Sequence, residues 1–173
     1  MGSSTVDKCE AIMAFPRLSQ QMPPTVEQDK APLAYGQRAI PKLNEDLLST
    51  DVKLRQQTLR SLCDMLHDHQ LVTQVIKEGC VENLKYLLLD SDAVVREKTT
   101  EAFAILALSY IGSMACLKGD VIIPLSHIFE DDFTACRQNA HVVIERLSKT
   151  PQGAFVTCSR ETQNHAEKKM EQH

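Results

Sequence analysis

The sequence predicts an all-α protein, a right-handed superhelical solenoid of about three repeats, and two observations carry that prediction. The first is a constant offset. The run "DAVVREKTTEAF", Asp92 to Phe103, opens on an Asp and places Arg96 in its first turn; 41 residues earlier stands Arg55 in "DVKLRQQTLRSL", and 41 later Arg137 in "TACRQNAHVVIERL". A bundle of unrelated helices has no reason to keep one offset over many positions, whereas units that bury their apolar faces only against neighbours do. The second is composition: 43% of the 173 residues are hydrophobic but only 5% are aromatic and none is Trp, so the core must be built from Leu, Ile, Val and Ala, as in stacked helices.

Residues 1–33 carry Pro16, Pro23, Pro24 and Pro32 among Gln, Ser and Thr without a helical period, which predicts a flexible N-terminal arm. A repeat domain over 34–158 follows, with units of about 34–79, 80–119 and 120–158. Each opens on a short helix with an apolar stripe: Ile40, Leu43, Leu47 and Leu48, then Val81, Leu84, Leu87 and Leu88, then Ile122, Leu125, Ile128 and Phe129. Leu43, Leu84 and Leu125 mark the shared register. Pro41 suits a first turn.

Polar turns lead to longer helices lined by Leu54, Leu62 and Met65, by Val95, Phe103 and Leu106, and by Cys136, Ile144 and Leu147. Asp51 and Asp92 are natural N-caps, because a carboxylate accepts from the unpaired first-turn N–H groups; Phe133 holds that place in the third unit and predicts a weaker or shifted cap. A third helix with Leu71, Val72, Val75 and Ile76 apolar should close at Gly79, the residue type suited to a left-handed closing position, and the second unit should repeat this with Ile111, Met114 and Leu117 before Gly119.

The net charge of −4 argues against nucleic acid and anionic membranes as partners, since phosphate binding needs a concentrated excess of Lys and Arg. The six cysteines form no CxxC pair, and four fall within apolar helical patterns, which suggests reduced thiols in an intracellular setting. The apolar run Ala11 to Phe15 is too short for a signal core or a membrane span, and Val6 in "MGSSTV" occupies the place where a myristoylation motif needs Ser or Thr. A cytoplasmic or cytoskeletal location is expected.

Three-helix units of this length have the armadillo or HEAT period. The runs "GCVENLKYLLLDSDAVVREKTTEAF" and "IKEGCVENL" follow the armadillo pattern, and "AYGQRAIPKLNEDL", "LCDMLHD" and "VREKTTE" resemble the radial spoke head 14 group of armadillo proteins, components of the radial spokes of motile cilia and flagella. The resemblance covers about Ala34 to Gly153. It implies a structural, non-catalytic part of the axoneme whose partners are other radial spoke proteins, with no cofactor. After Gly153 the pattern departs: Arg160 stands where Gly119 has its equivalent, and "AFVTCSRETQNHAEKKMEQH" lacks the apolar spacing of a further unit. The expectation is a shortened form with a polar tail over 159–173.

Armadillo proteins that grip extended peptides place an Asn at one position of the long helix. Here Asp64, Ile105 and Arg146 hold it, so that type of groove is not supported, although charge at two of the three places leaves them candidates for protein binding. Arg55, Arg96 and Arg137 need no ligand, because an Arg stem covers a junction between units while its guanidinium bonds turn carbonyls or a nearby Asp. Cys63 and His67, four apart, suggest a metal site only weakly without a second ligand pair, and no GxSxG, phosphate loop or HExxH run proposes an enzyme. The function expected is a scaffold; the alternatives are a cytosolic armadillo adaptor and a regulatory subunit of an enzyme such as a phosphatase. A last expectation concerns the end of the array. With no fourth unit, Ile122, Leu125, Ile128, Phe129, Ile144 and Leu147 should be left partly open, with Phe155, Val156 and Met170 as the only apolar cover, so the chain should self-associate through its C-terminal unit.

Overall fold

A computed structural model describes residues 38–156, and among them every regular element is helical. The order is α1 (Ala39–Asp46), α2 (Val52–Met65), α3 (His69–Lys77), α4 (Cys80–Leu87), α5 (Ala93–Leu106), α6 (Tyr110–Lys118), α7 (Ile122–Ile128) and α8 (Thr134–Ser148). A further helical turn covers 151–156. The expected arm (1–33) and tail (159–173) lie outside the described residues, as does the Cys158 end of the expected repeat domain.

The local signals explain where helices start. Asp51 accepts from Lys53 N–H at 3.0 Å and Asp92 from Val95 N–H at 2.9 Å, each satisfying a first-turn donor. Asp68 and Ser109 do the same for α3 and α6. At α8 the Phe133 side chain caps nothing; Asp131 Oδ1 accepts the Phe133 N–H at 2.8 Å in the turn before the helix, as Asp90 Oδ1 accepts the Asp92 N–H at 2.9 Å. Gly79 has φ +73 between α3 and α4, as its type suggested. Gly119 departs from the expectation. It has φ −75, and the left-handed residue is Asp120 at φ +53, one position later. Gly119 serves close packing instead, since a Cβ there would lie 3.3 Å from Val81 Cγ1.

The long helices form the spine: α5 packs against α2 on one side and α8 on the other, while α3 meets α6 and the short helices lean on the long one of their own unit. One contiguous core runs from Ile40 through Phe103 to Leu147. Ile40, Val81 and Ile122 are buried in register, as are Leu43, Leu84 and Leu125. The register even reaches the next short helix. Thr150 Oγ1 accepts from Gly153 N–H at 3.0 Å just as Ser109 Oγ accepts from Gly112 N–H at 3.0 Å. A Cβ at Gly112 would stand 2.0 Å from the Leu106 carbonyl oxygen, and one at Gly153 would stand 1.9 Å from that of Leu147, so both places need glycine.

Several expected core positions are corrected. Leu48 is 60% exposed, in register with Leu89 at 61%; the buried stripe runs through Leu47 and Leu88, and one residue of helix turns a side chain by about 100°. Ile111 is exposed because α6 buries the face formed by Gly112, Ser113 and Cys116.

The open stripe of the third unit is also corrected. Ile122, Leu125, Ile128 and Leu147 are buried, and Phe129 and Ile144 are partly buried against the core, because these side chains point between α7, α8 and α5 rather than outward. Phe129 is covered by His141, with ring centroids 4.7 Å apart. The outer face of α8 carries exposed polar residues where its predecessors are buried and mostly apolar: Leu59 and Thr100 give way to His141, Cys63 and Ala104 to Glu145, and Leu66 and Ala107 to Ser148. Those earlier residues are buried and the three replacements are exposed. Of the expected cover, Phe155 is 74% exposed and Val156 packs on the core, while Met170 lies outside the described residues.

Candidate protein-binding surface

The recurring arginines are clasps between units. Arg55 Nη1 donates to the Ser49 carbonyl at 2.8 Å, within its own turn, and Nη2 lies 3.0 Å from Asp90 Oδ2 in the next unit. Arg96 repeats the pattern more fully. Its Nη1 donates to the Asp90 carbonyl at 2.9 Å, while Nε and Nη2 grip both oxygens of Asp131 at 2.6 and 3.1 Å. The Arg55 Nε, by contrast, is buried without a partner, so the first clasp is the looser. Arg137 donates to the Asp131 carbonyl and to Thr134 Oγ1, and no carboxylate of a later unit reaches it among the described residues. The Arg96 guanidinium holds the Asp131 carboxyl below the usual carboxylate range, and the Gln56 amide does the same for Asp92.

A second set of bonds ties the short helices down. Asn44 Nδ2 donates to the Glu78 carbonyl and Lys85 Nζ to the Gly119 carbonyl, both at 2.7 Å and each within its own unit, while Asn83 Nδ2 crosses the first junction to Asn44 Oδ1 at 2.8 Å. With the clasps it holds the relative angle of the units, so that surfaces spanning two of them keep a fixed shape.

The positions singled out for protein binding lie in different environments. Asp64 is exposed near the end of α2, Ile105 is 9% exposed, and Arg146 near the end of α8 is half-buried, donating through Nη1 to the Ala104 carbonyl of α5. Phe129 lies apart, against His141. Arg146 alone lines a cavity, of about 480 Å³, between the α5–α6 corner and the end of α8, together with Leu108, Tyr110, Ser113, Lys149 and Thr150. Leu108 and Tyr110 are about 60% exposed. The sequence reading missed Leu108, Tyr110 and Lys149 because they belong to the corners after the long helices, where no apolar period draws attention; the available signal was that Leu108 and Lys149 share the 41-residue register.

Cys63 and His67 are not joined on one helix face as their spacing suggested. α2 ends at Met65; Cys63 is buried with its Sγ toward the Lys98 carbonyl, and His67 is exposed beyond the helix. Burial pushes the thiols of Cys63, Cys80 and Cys116 up to about 12 and that of Cys136 to about 11, so all four are protonated at neutral pH and behave as small apolar side chains.

No family model matches the chain. Solved structures do resemble it: a computationally designed armadillo repeat protein for modular peptide recognition, with TM-score 0.64 and 20% identity over 67% of this chain and 50% of the other. The fold is an armadillo-like repeat solenoid. A designed armadillo repeat protein in complex with the peptide (KR)4 agrees at TM-score 0.60 and 15% identity over 63% and 46%, and an engineered protein at 0.62 and 24% over 65% and 47%. The chain thus spans about half the length of the armadillo structures it matches. The three-helix unit and the spine of long helices are the armadillo features its own register already displayed.

Proposed function

We propose that the protein is a non-catalytic scaffold that binds other proteins, and that it serves as a structural component of the radial spokes of the ciliary or flagellar axoneme. The observation that carries the scaffold reading is the ladder of Arg–Asp clasps across the unit junctions, Arg55 to Asp90 and Arg96 to Asp131. It spends the chain's polar groups on holding units at fixed angles, which suits a rigid surface for partners rather than a catalytic centre. The deep thiols add no nucleophile. One armadillo structure that the fold resembles is described as made for modular peptide recognition, which supports polypeptide partners in general. The assignment to radial spokes rests on the resemblance of "AYGQRAIPKLNEDL", "LCDMLHD" and "VREKTTE". The experiment is to express the tagged full chain in multiciliated cells, extract with detergent, and cross-link the isolated axonemes. Retention in axonemes with cross-links to spoke components is expected. Complete release into the soluble fraction would overturn the axonemal reading, and co-purification with a phosphatase activity would replace it with a regulatory-subunit role.

A further inference from the structure

We infer that the cavity between the α5–α6 corner and the end of α8 is a docking site for an acidic segment of a partner protein. The inference rests on the protein-binding reading and adds the sign of the ligand.

The cavity's lining holds two cations, Arg146 and Lys149, the Tyr110 hydroxyl and no carboxylate, while the hydroxyls of Ser109, Ser113 and Thr150 donate to backbone carbonyls. Arg146 is pre-positioned. Its Nη1 donates to the Ala104 carbonyl, which ties the guanidinium across the α5–α8 interface, and the group has five N–H donors of which this bond uses one. A carboxylate arriving there meets an already oriented donor, and less side-chain entropy is lost on binding. Lys149 is less committed. It pairs with Glu145 at 3.0 Å, but both side chains are more than two-thirds exposed, so a ligand carboxylate competes with a weak surface pair. The exposed Leu108 and Tyr110 on the same rim supply apolar area beside the charge, the combination that anchors a peptide side chain.

The chain as a whole carries a net charge of −4, so long-range attraction does not favour an acidic ligand. The contact therefore acts at short range. The sign is also opposite to that of the (KR)4 peptide held by one designed armadillo protein of similar fold.

The test uses the full chain and a fluorescein-labelled peptide with a central Leu-Phe pair flanked by three Glu on each side, against a counterpart with Lys in place of Glu, read by fluorescence anisotropy. The acidic peptide should bind at least about tenfold more tightly than the basic one, and raising salt from about 50 to 300 mM should weaken it several-fold. Lys149→Glu, at an exposed side chain whose surface pair with Glu145 contributes little to stability, should weaken binding about tenfold with melting nearly unchanged. Arg146→Gln should weaken it further, and Tyr110→Ser provides a second variant outside the α5–α8 contact. Equal affinity for both peptides, or acidic-peptide binding untouched by Lys149→Glu and Tyr110→Ser, overturns the inference. So does absence of peptide binding together with dimerisation that Lys149→Glu abolishes, which would assign the cavity to a second copy. Axonemal cross-links confined to other surfaces would leave the scaffold reading standing and remove this site alone.

Discussion

Arg96 and Asp131 are 35 residues apart in the chain and 2.6 Å apart in space, and the same guanidinium also donates to the carbonyl of Asp90 in its own turn. One side chain thus closes its own helix turn and reaches the turn of the next unit. Asp131 Oδ1 also accepts the Phe133 N–H, so the clasp and the turn that leads into α8 share one carboxylate.

Removing the cation should therefore cost more than a surface pair does. The Asp131 side chain is 6% exposed, so Arg96→Met leaves a nearly buried carboxylate without its partner; a loss of about 2–4 kcal/mol is expected. Arg137→Met, which gives up only bonds within its own turn, should cost about 1 kcal/mol or less. Urea denaturation of both, with Arg96→Met/Asp131→Ala completing a double-mutant cycle, checks the ordering; equal costs would refute the clasp.

The same pair predicts an acid limb. Asp131 has its folded-state pKa below the ordinary value of 3.8, so it binds fewer protons folded than unfolded, and its stabilising contribution is complete above that value. The contribution is lost as pH falls through the folded pKa. Asp92 behaves alike. Wild-type stability should thus fall below about pH 4 more steeply than that of Arg96→Met. Parallel curves of unfolding free energy against pH would show that the pair does not titrate with folding.

Core and rim leucines should separate cleanly. Leu84→Ala and Leu106→Ala, both at fully buried positions, should each cost about 2–5 kcal/mol, whereas Leu89→Ala, 61% exposed, should stay within about 0.5 kcal/mol. Thermal melts of the three variants decide it.

Phe129→Glu should act on stability. Its ring lies under His141 and against the core, so a charge there should destabilise the third unit by about 2 kcal/mol or more. Hydrogen exchange would show the loss as faster exchange in α7 and α8; unchanged protection would restore the open-stripe expectation.

The buried thiols give a labelling clock. Cys63, Cys80, Cys116 and Cys136 should resist iodoacetamide in the folded protein at pH 7.5 and react only through opening, so mass-resolved labelling rates should track added urea. Fast reaction of any of them without denaturant would contradict its burial.

The sequence by itself determined the repeat length, the helix starts at Asp51 and Asp92, the turn at Gly79 and the inward stripe through Leu43, Leu84 and Leu125, because capping and helical periodicity act within a few residues and leave a local record. Only the tertiary structure decided what each face meets. Leu48 differs from Leu47 by one residue and by a whole environment. His141, Glu145 and Ser148 read as ordinary polar positions until α2 and α5 show that their equivalents are buried. Asp90 and Asp131 likewise become partners of Arg55 and Arg96 only through stacking, and Arg146 and Lys149 meet Tyr110 only where α8 passes the α5–α6 corner. Contacts of this kind join residues some 35 to 40 positions apart, and their strength depends on burial, a property of the assembled units that no local spacing contains.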